Sequence, residues 1–152
     1  DYDLYEALHI SAAKSHSIIS TIAEPDGLLR YAPGKWTIKE LLCHVMDAER
    51  IFAYRALRFA RNDKTPLPGF EEEDYATEAN ASARTLLAIN HEMQHLRLTT
   101  VDLYTSFTPA MLQRTGTANH TTLSVAALGF IIAGHQLHHL HVLTTRYLRH
   151  HV

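Results

Sequence analysis

The feature that most constrains the fold is the way proline and glycine divide the chain into four segments that suit long helices. The segments are residues 1–24, 37–61, 82–106 and 121–148. The acidic stretch 62–75, which contains two prolines, separates the second segment from the third. Alternation of polar and apolar residues is never sustained, so no strand is predicted. Four helices of about 25 residues predict an all-α protein, a four-helix bundle forming one domain over residues 1–152, with a long loop between helices 2 and 3.

Composition and charge exclude several classes of protein. The net charge is −2 and acidic and basic residues are interspersed, which argues against a nucleic-acid or anionic-membrane partner. No apolar run reaches the roughly 18 residues of a membrane span, and the acidic start does not fit a signal peptide. The one cysteine, Cys43, cannot form an internal disulfide and fits a reducing compartment. We therefore expect a cytoplasmic protein in which Cys43 is inert packing.

Twelve histidines are present, and two pairs have the i,i+4 spacing of metal ligands on a helix. His91 and His95 lie in an H-E-x-x-H motif of the zinc-metalloprotease type. On a helical wheel with Leu86 at 0°, they fall at roughly 140° and 180°, away from the apolar stripe of the third helix, so we interpret them as a solvated face. A protease would also need a third ligand, which this outward pair does not offer. Leu87 and Leu98 lie on the same outer side and suggest a subunit contact, which predicts a homodimer.

The second pair, His135 and His139, lies within the apolar stripe of the last helix, at roughly 120° and 160° when Leu123 is set at 0°. The structural alternative is a pair of hydrogen-bonded core histidines. Each buried imidazole needs partners for two nitrogens, and a metal satisfies one nitrogen of each ring at once. A metal site would also need a ligand from another helix, and the candidates are His9, His16 and His44.

Several motifs, in order and spacing over nearly the whole chain, resemble the DinB-like superfamily. They are Trp36, Thr37, Glu40 and His44 at the entry to the second helix, Pro68-Gly69-Phe70 in the loop, Arg84 and Arg97 in the third helix, and the late His135/His139 pair. Thr37 and Glu40 also have the spacing of a capping box. The resemblance implies a four-helix bundle that holds a divalent metal through three histidines. By motif position these ligands are His44, His135 and His139.

The ligand set and the resemblance together suggest a function. Three neutral imidazoles with open positions are typical of a catalytic metal site, with zinc as the expected metal and nickel or iron as alternatives. Characterised relatives include S-transferases that use small thiols such as bacillithiol or mycothiol, a maleylpyruvate isomerase and metal-dependent hydrolases. We expect a metal-dependent S-transferase or hydrolase that acts on a small molecule, with a low-molecular-weight thiol as a further cofactor. The alternative is a non-catalytic, stress-related metal-binding protein that dimerises.

No catalytic residue is assigned from the sequence, but three side chains are candidates for the surroundings of the metal. Asp47 lies one turn after His44 and could orient a ligand imidazole or act as a base, the alternative being a solvated carboxylate. Arg55 could hold a substrate carboxylate, the alternative being an ion pair with the acidic run 71–74. His138 could line the pocket. His150 and His151 are given no role.

Overall fold

The structure, a computed structural model that describes residues 3–148, is a four-helix bundle with a small hairpin at one end. The bundle helices are α1 (Leu4–Ile19), α2 (Ile38–Ala60), α4 (Leu86–Thr105) and α6 (Val125–Val142). Two short helices, α3 (Glu72–Glu78) and α5 (Pro109–Leu112), lie in the connections. Single 3-10 turns cover Glu24–Leu28 and Ala81–Ala83, and a π turn, Leu143–Tyr147, prolongs α6.

A side chain caps the N-terminus of every bundle helix. Asp3, Thr37, Thr85 and Ser124 each accept a hydrogen bond from the backbone N–H three residues further on. The predicted capping box of α2 is confirmed, because Glu40 also accepts from the N–H of Thr37 at 2.7 Å. Such a cap stabilises a helix by about 1 kcal/mol. The caps fix where α2 and α6 begin, and so fix the register of the histidines on them.

The order of the helices around the bundle differs from a simple up-and-down arrangement. Helices α1 and α2 each pack against both α4 and α6, so α1 lies diagonally opposite α2. Tyr5 near the start of α1 donates a hydrogen bond to the carbonyl of Tyr104 near the end of α4, at 3.2 Å, so these helices are antiparallel. Tyr147, just after α6, donates to the carbonyl of Trp36 before α2, at 2.7 Å, so α6 and α2 are also antiparallel.

Helices α2 and α4 are parallel neighbours, and this explains the long connection between them. Arg84, before α4, lies 3.9 Å from Cys43 on the first half of α2, whereas Arg97 further along α4 reaches Glu49 further along α2. The chain must therefore return along the bundle before α4 can start. With 23 residues, α2 is about 35 Å long. Residues 61–85, which include α3, cover that distance.

The interior consists of two apolar clusters with a polar layer between them. One cluster surrounds the start of α2 and includes Ile38, Leu41, Val45, Met46, Leu86, Ile89, Met93, Leu140 and Leu143. The other lies toward the hairpin and includes Leu8, Ala56, Phe59, Tyr104, Val125, Leu128 and Ile132. In the layer between them, the buried Arg97 donates to both carboxylate oxygens of Glu49, at 2.9 and 3.0 Å, to Ser11 at 2.7 Å and to Gln136 at 2.8 Å. Arg97 thus connects all four bundle helices.

The expectation that the chain has no strand was wrong for residues 115–124. Strand β1 (Thr115–Ala118) pairs antiparallel with β2 (Thr121–Ser124). Asn119 and His120 form the two-residue turn, and both have positive φ, 46° and 62°, as primed hairpin turns require. The β-branched threonines on both sides of the turn suit the strand conformation. The last helix therefore begins at Val125 and not at residue 121.

Other predicted bounds were too wide by a few residues. Helix α1 ends at Ile19 instead of residue 24, because a 3-10 turn containing Pro25 follows. Arg84, expected in the third helix, lies before it at the end of the turn Ala81–Ala83. The predicted long loop between helices 2 and 3 contains α3. No helix within residues 3–148 combines the length and apolarity that a bilayer span requires.

Candidate metal centre

Three imidazoles from two antiparallel helices, α2 and α6, meet between these helices. The Nε2 atom of His135 on α6 lies 3.1 Å from Nε2 of His44 on α2 and 3.1 Å from Nε2 of His139, one turn further along α6. The rings of His44 and His139 have centroids 4.8 Å apart. Within the described chain, this is the group of three or more potential ligand side chains whose donor atoms all lie within 4.8 Å of one another.

Hydrogen bonds alone do not account for this arrangement. In a neutral imidazole each ring nitrogen has one in-plane site, which either donates or accepts. Nε2 of His135 therefore makes one good hydrogen bond, yet it faces two Nε2 atoms at the same short distance. One cation in front of the three lone pairs removes the conflict. Ligands about 2.05 Å from a tetrahedral zinc ion are about 3.3 Å from each other, close to the observed separations.

Burial keeps these imidazoles neutral, as metal ligands must be. His44 is 2% exposed, and the other two are half-buried. Desolvation lowers the pKa of His135 from 6.5 to about 4, with repulsion from His44 and His138 as a smaller cause. Desolvation, with repulsion from His135, His44 and His138, lowers the pKa of His139 to about 3. Desolvation also lowers the pKa of His44, against the attraction of Glu72, Asp47 and Glu73.

Packing, more than hydrogen bonding, sets the orientation of the rings. The buried Nδ1 atoms of His44 and His139 have no hydrogen-bond partner among the described residues. Aromatic side chains border the cluster instead: the ring of Trp36 lies 4.8 Å from that of His44, and the ring of Phe52 lies 5.9 Å from that of His135. The Nε2 atoms consequently point at one another, whereas the unpartnered Nδ1 atoms point away.

A cleft of about 250 Å³ leads to His139 from the surface. Three aromatic side chains, Tyr31, Trp36 and Tyr147, form much of its wall, and the rings of the two tyrosines meet edge to face at 4.9 Å. Its charged lining residues are Lys35 and Glu73. Glu73, on α3, accepts a hydrogen bond from Nε1 of Trp36 at 3.0 Å, so the connection between α2 and α4 supplies one side of the cleft.

The three candidate surrounding residues occupy different positions relative to the cluster. Asp47 is half-buried, which raises its pKa, and its carboxylate contacts Arg50 at 3.4 Å, not an imidazole. Arg55 is buried and donates to the carbonyl of Pro68 at 2.9 Å, so it anchors the Pro-Gly-Phe loop and does not pair with the acidic run 71–74. His138 is exposed, with its ring 5.1 Å from that of His139.

The exposed histidines of α1 and α4 lie outside the three-imidazole group. His91 and His95 are exposed on α4, as the helical wheel predicted. His9 and His16 are exposed on α1, and Nδ1 of His16 lies 3.4 Å from Oδ1 of Asn90. Neither is part of the three-imidazole group. His150 and His151 lie outside the described residues.

Apart from His139, the residues that line the cleft were not predicted from the sequence. Trp36 was noted only for its position before α2, and Glu73 only as part of an acidic run. Tyr31 lies in the turn before α2 and Tyr147 in the π turn after α6, more than 100 residues apart in sequence. They meet only because α2 and α6 are antiparallel. The one available signal was the aromatic residue next to the cap of the helix that carries His44.

The fold and its converging imidazoles define a class: helical bundles with a candidate three-histidine metal centre. Comparison with family models specifies it further. The model described as the DinB superfamily matches residues 7–143. The chain therefore belongs to the DinB superfamily.

Two relatives agree with this assignment. A protein of Oceanobacillus iheyensis, OB0413, named as a proposed metal-dependent hydrolase, is 29% identical over 119 residues, which is 72% of this chain. The match spans 64% of the length of that relative. The structure of YfiT from Bacillus subtilis, described as a proposed metal-dependent hydrolase with an unusual four-helix bundle topology, superposes with a TM-score of 0.81. That match covers 96% of this chain and 84% of YfiT at 14% identity, and so establishes the shared fold.

Proposed function

We propose that this protein is a metal-dependent enzyme in which His44, His135 and His139 hold one divalent metal, zinc by preference, next to the cleft that binds a small-molecule substrate. The observation that carries the proposal is the double contact of His135 Nε2, 3.1 Å from each of two other Nε2 atoms. The position of His139 on the lining of the cleft adds access from the surface. The names of the relatives favour hydrolysis as the reaction.

A divalent metal held by His44, His135 and His139 would lower the pKa of a water or thiol bound to it. The other groups come from the chain itself. Tyr31, Trp36 and Tyr147 offer apolar surface to the substrate and exclude bulk water. The carboxylate of Glu73, held by Trp36 Nε1, is placed to accept a proton within the cleft. The ammonium group of Lys35 is placed to bind an anionic part of the substrate.

Transfer of a low-molecular-weight thiol to an electrophilic substrate, in which the thiolate displaces a leaving group, is the second candidate reaction for this centre. It requires an open position on the metal and a thiol that is ionised at neutral pH. A cleft of about 250 Å³ with aromatic walls has room for a small thiol. Hydrolysis and thiol transfer differ in whether a thiol enters the position in front of the imidazoles, so they can be separated experimentally.

Titration of the cobalt-substituted protein with 2-mercaptoethanol tests the proposal. An open coordination position predicts a sulfur-to-metal charge-transfer band that is lost in His44→Ala. In parallel, a panel of small esters, amides and thiol acceptors identifies the reaction. His9→Ala is the matched control, because His9 is exposed and outside the cluster. A flat titration, an inactive panel and four protein ligands around the metal would favour the non-catalytic alternative.

A further inference from the structure

The outer face of α4 has no role in the candidate metal centre, yet its composition is unusual. Leu87 and Leu98 are 66% and 58% exposed, the highest values among the large apolar side chains of the described chain. His91 and His95 are exposed between them. At about 100° per residue these four side chains fall within an arc of about 80°, so they form one continuous stripe along the helix. We call Leu87, His91, His95 and Leu98 the α4 stripe.

The α4 stripe reads almost the same in both directions. A leucine stands at each end and a histidine at each inner position, with spacings of four, four and three residues. A second copy of the chain, turned about a two-fold axis near the middle of α4, would therefore place its Leu98 against Leu87 and its His95 against His91. Such self-complementarity is what an isologous contact between two identical chains requires.

The charges near the stripe are compatible with this pairing. The one basic residue of α4, Arg97, is buried, so no cation of α4 opposes a second copy. The carboxylate of Glu92 is engaged by Arg50 and Arg84 of its own chain. Asp102, exposed near the far end of α4, would lie at the rim of the contact.

The two inner residues of the α4 stripe, His91 and His95, are candidate ligands for a metal ion shared by the two copies. Two histidines at i,i+4 on one helix can bind the same metal ion. Two copies supply four imidazoles, the ligand number of a closed tetrahedral zinc site. Two leucines per copy cover much less than the roughly 1,600 Å² of a standard interface, so association should depend on the metal. We propose that the protein forms a homodimer through α4, closed by one divalent metal on His91 and His95 of both copies.

Sedimentation velocity with graded Zn²⁺ tests this proposal. The metal-stripped 152-residue chain should sediment as a 17.2 kDa monomer. With added Zn²⁺ it should become a dimer of about twice that mass with 1.5 metals per chain, and chelation should reverse the change. The double variant His91→Ala/His95→Ala should remain monomeric and retain one metal per chain. Leu87→Glu should weaken association by roughly tenfold or more, because it puts a carboxylate where Leu98 of the second copy would pack.

The matched control is His9→Ala/His120→Asn, which removes two exposed histidines elsewhere; asparagine tolerates the positive φ of residue 120. It should dimerise like the wild type. One further metal per chain without association would show an isolated surface chelate and overturn the shared site. A dimer that persists in the His91→Ala/His95→Ala variant, or that persists after chelation of the metal, would also overturn the shared site. If His44, His135 and His139 do not bind a metal, the metal content should be lower by one per chain and the zinc-dependent dimer should still form.

Discussion

His135 has a different position from the other two imidazoles, because its Nε2 atom contacts both of them. His44, on the opposite helix, is the most deeply buried of the three. A metal at this cluster would therefore have two ligands from one turn of α6, His135 and His139. The third ligand, His44, is brought to them by the packing of α2 against α6. Removal of any one ring leaves two imidazoles, too few for a strong site of this type.

We predict that His139→Ala and His135→Ala each weaken divalent-metal affinity by at least roughly 100-fold, since even loss of a group that only orients a ligand costs 10–100-fold. Competition with a coloured chelator measures the affinity, and far-ultraviolet circular dichroism verifies folding. His9→Ala, which removes an exposed histidine of α1, is the control and should retain the central metal. Unchanged affinity in the His135→Ala/His139→Ala double variant would contradict the assignment.

The pH dependence of stability follows from the lowered pKa values of His135, about 4, and His139, about 3. Their unfolded-state pKa is near 6.5, so below pH 6.5 the unfolded chain binds protons that the folded protein does not. The free energy of unfolding of the metal-free protein should therefore be constant above about pH 6.5 and fall as the pH drops toward 4. Thermal melts between pH 8 and 4.5 measure this. The slope should decrease in His135→Gln, and an equal slope in that variant would exclude these rings as its source.

At the scale of elements, the polar layer between the two apolar clusters depends on Arg97 and Glu49. Both side chains are about 4–5% exposed, and Arg97 also binds Ser11 and Gln136, next to His135 in sequence. Because the layer has partners from all four bundle helices, it specifies how they align. This layer also lies beside the imidazole cluster. Loss of the Arg97–Glu49 ion pair should therefore affect the metal centre through α6.

We predict that Arg97→Met destabilises the fold by about 3–5 kcal/mol, because the Glu49 carboxylate remains buried without its partner. The double variant Arg97→Met/Glu49→Leu should recover a large part of that loss, since no unpaired charge remains. Urea denaturation of the two single variants and the double variant gives the coupling energy. Arg50→Met, at an exposed ion pair, should change stability by less than about 1 kcal/mol. Additive effects of the two buried substitutions would contradict the prediction.

The sequence predicted the elements whose signals are local. The caps and apolar stripes located the four bundle helices, and the stripe of the last helix placed His135 and His139 toward the interior. The hairpin was missed because Thr121–Ser124 leads directly into α6 and its partner strand has only four residues. Helix geometry alone left three candidates for the third imidazole, His9, His16 and His44. The structure brings His44 to His135 because α6 packs against α2, which no local pattern encodes.

At the scale of the whole molecule, the arrangement of the helices determines which parts of the chain meet at the candidate metal centre. The chain passes from α2 to its parallel neighbour α4 through residues 61–85, and only the final helix, α6, lies antiparallel beside α2 with its histidines opposite His44. A ligand on all three rings therefore links residue 44 to residues 135 and 139, which are distant in sequence. The cleft has the same origin, because its walls come from the turn before α2, from α3 and from the end of α6.

This long-range link predicts that metal binding stabilises the entire fold and not only the site. The unfolded chain keeps the three histidines apart, so the metal binds the folded state preferentially and adds about 2.7 kcal/mol at a free concentration 100 times Kd. For a protein of this size that corresponds to an increase in Tm of roughly 5–10 °C. Scanning calorimetry at buffered free Zn²⁺ concentrations should show Tm rising with the logarithm of the concentration. His44→Ala should remove the dependence, whereas His91→Ala/His95→Ala, which is expected to remain monomeric, should retain it. A Tm that does not respond to zinc in the wild type would mean that the three imidazoles do not bind the metal together.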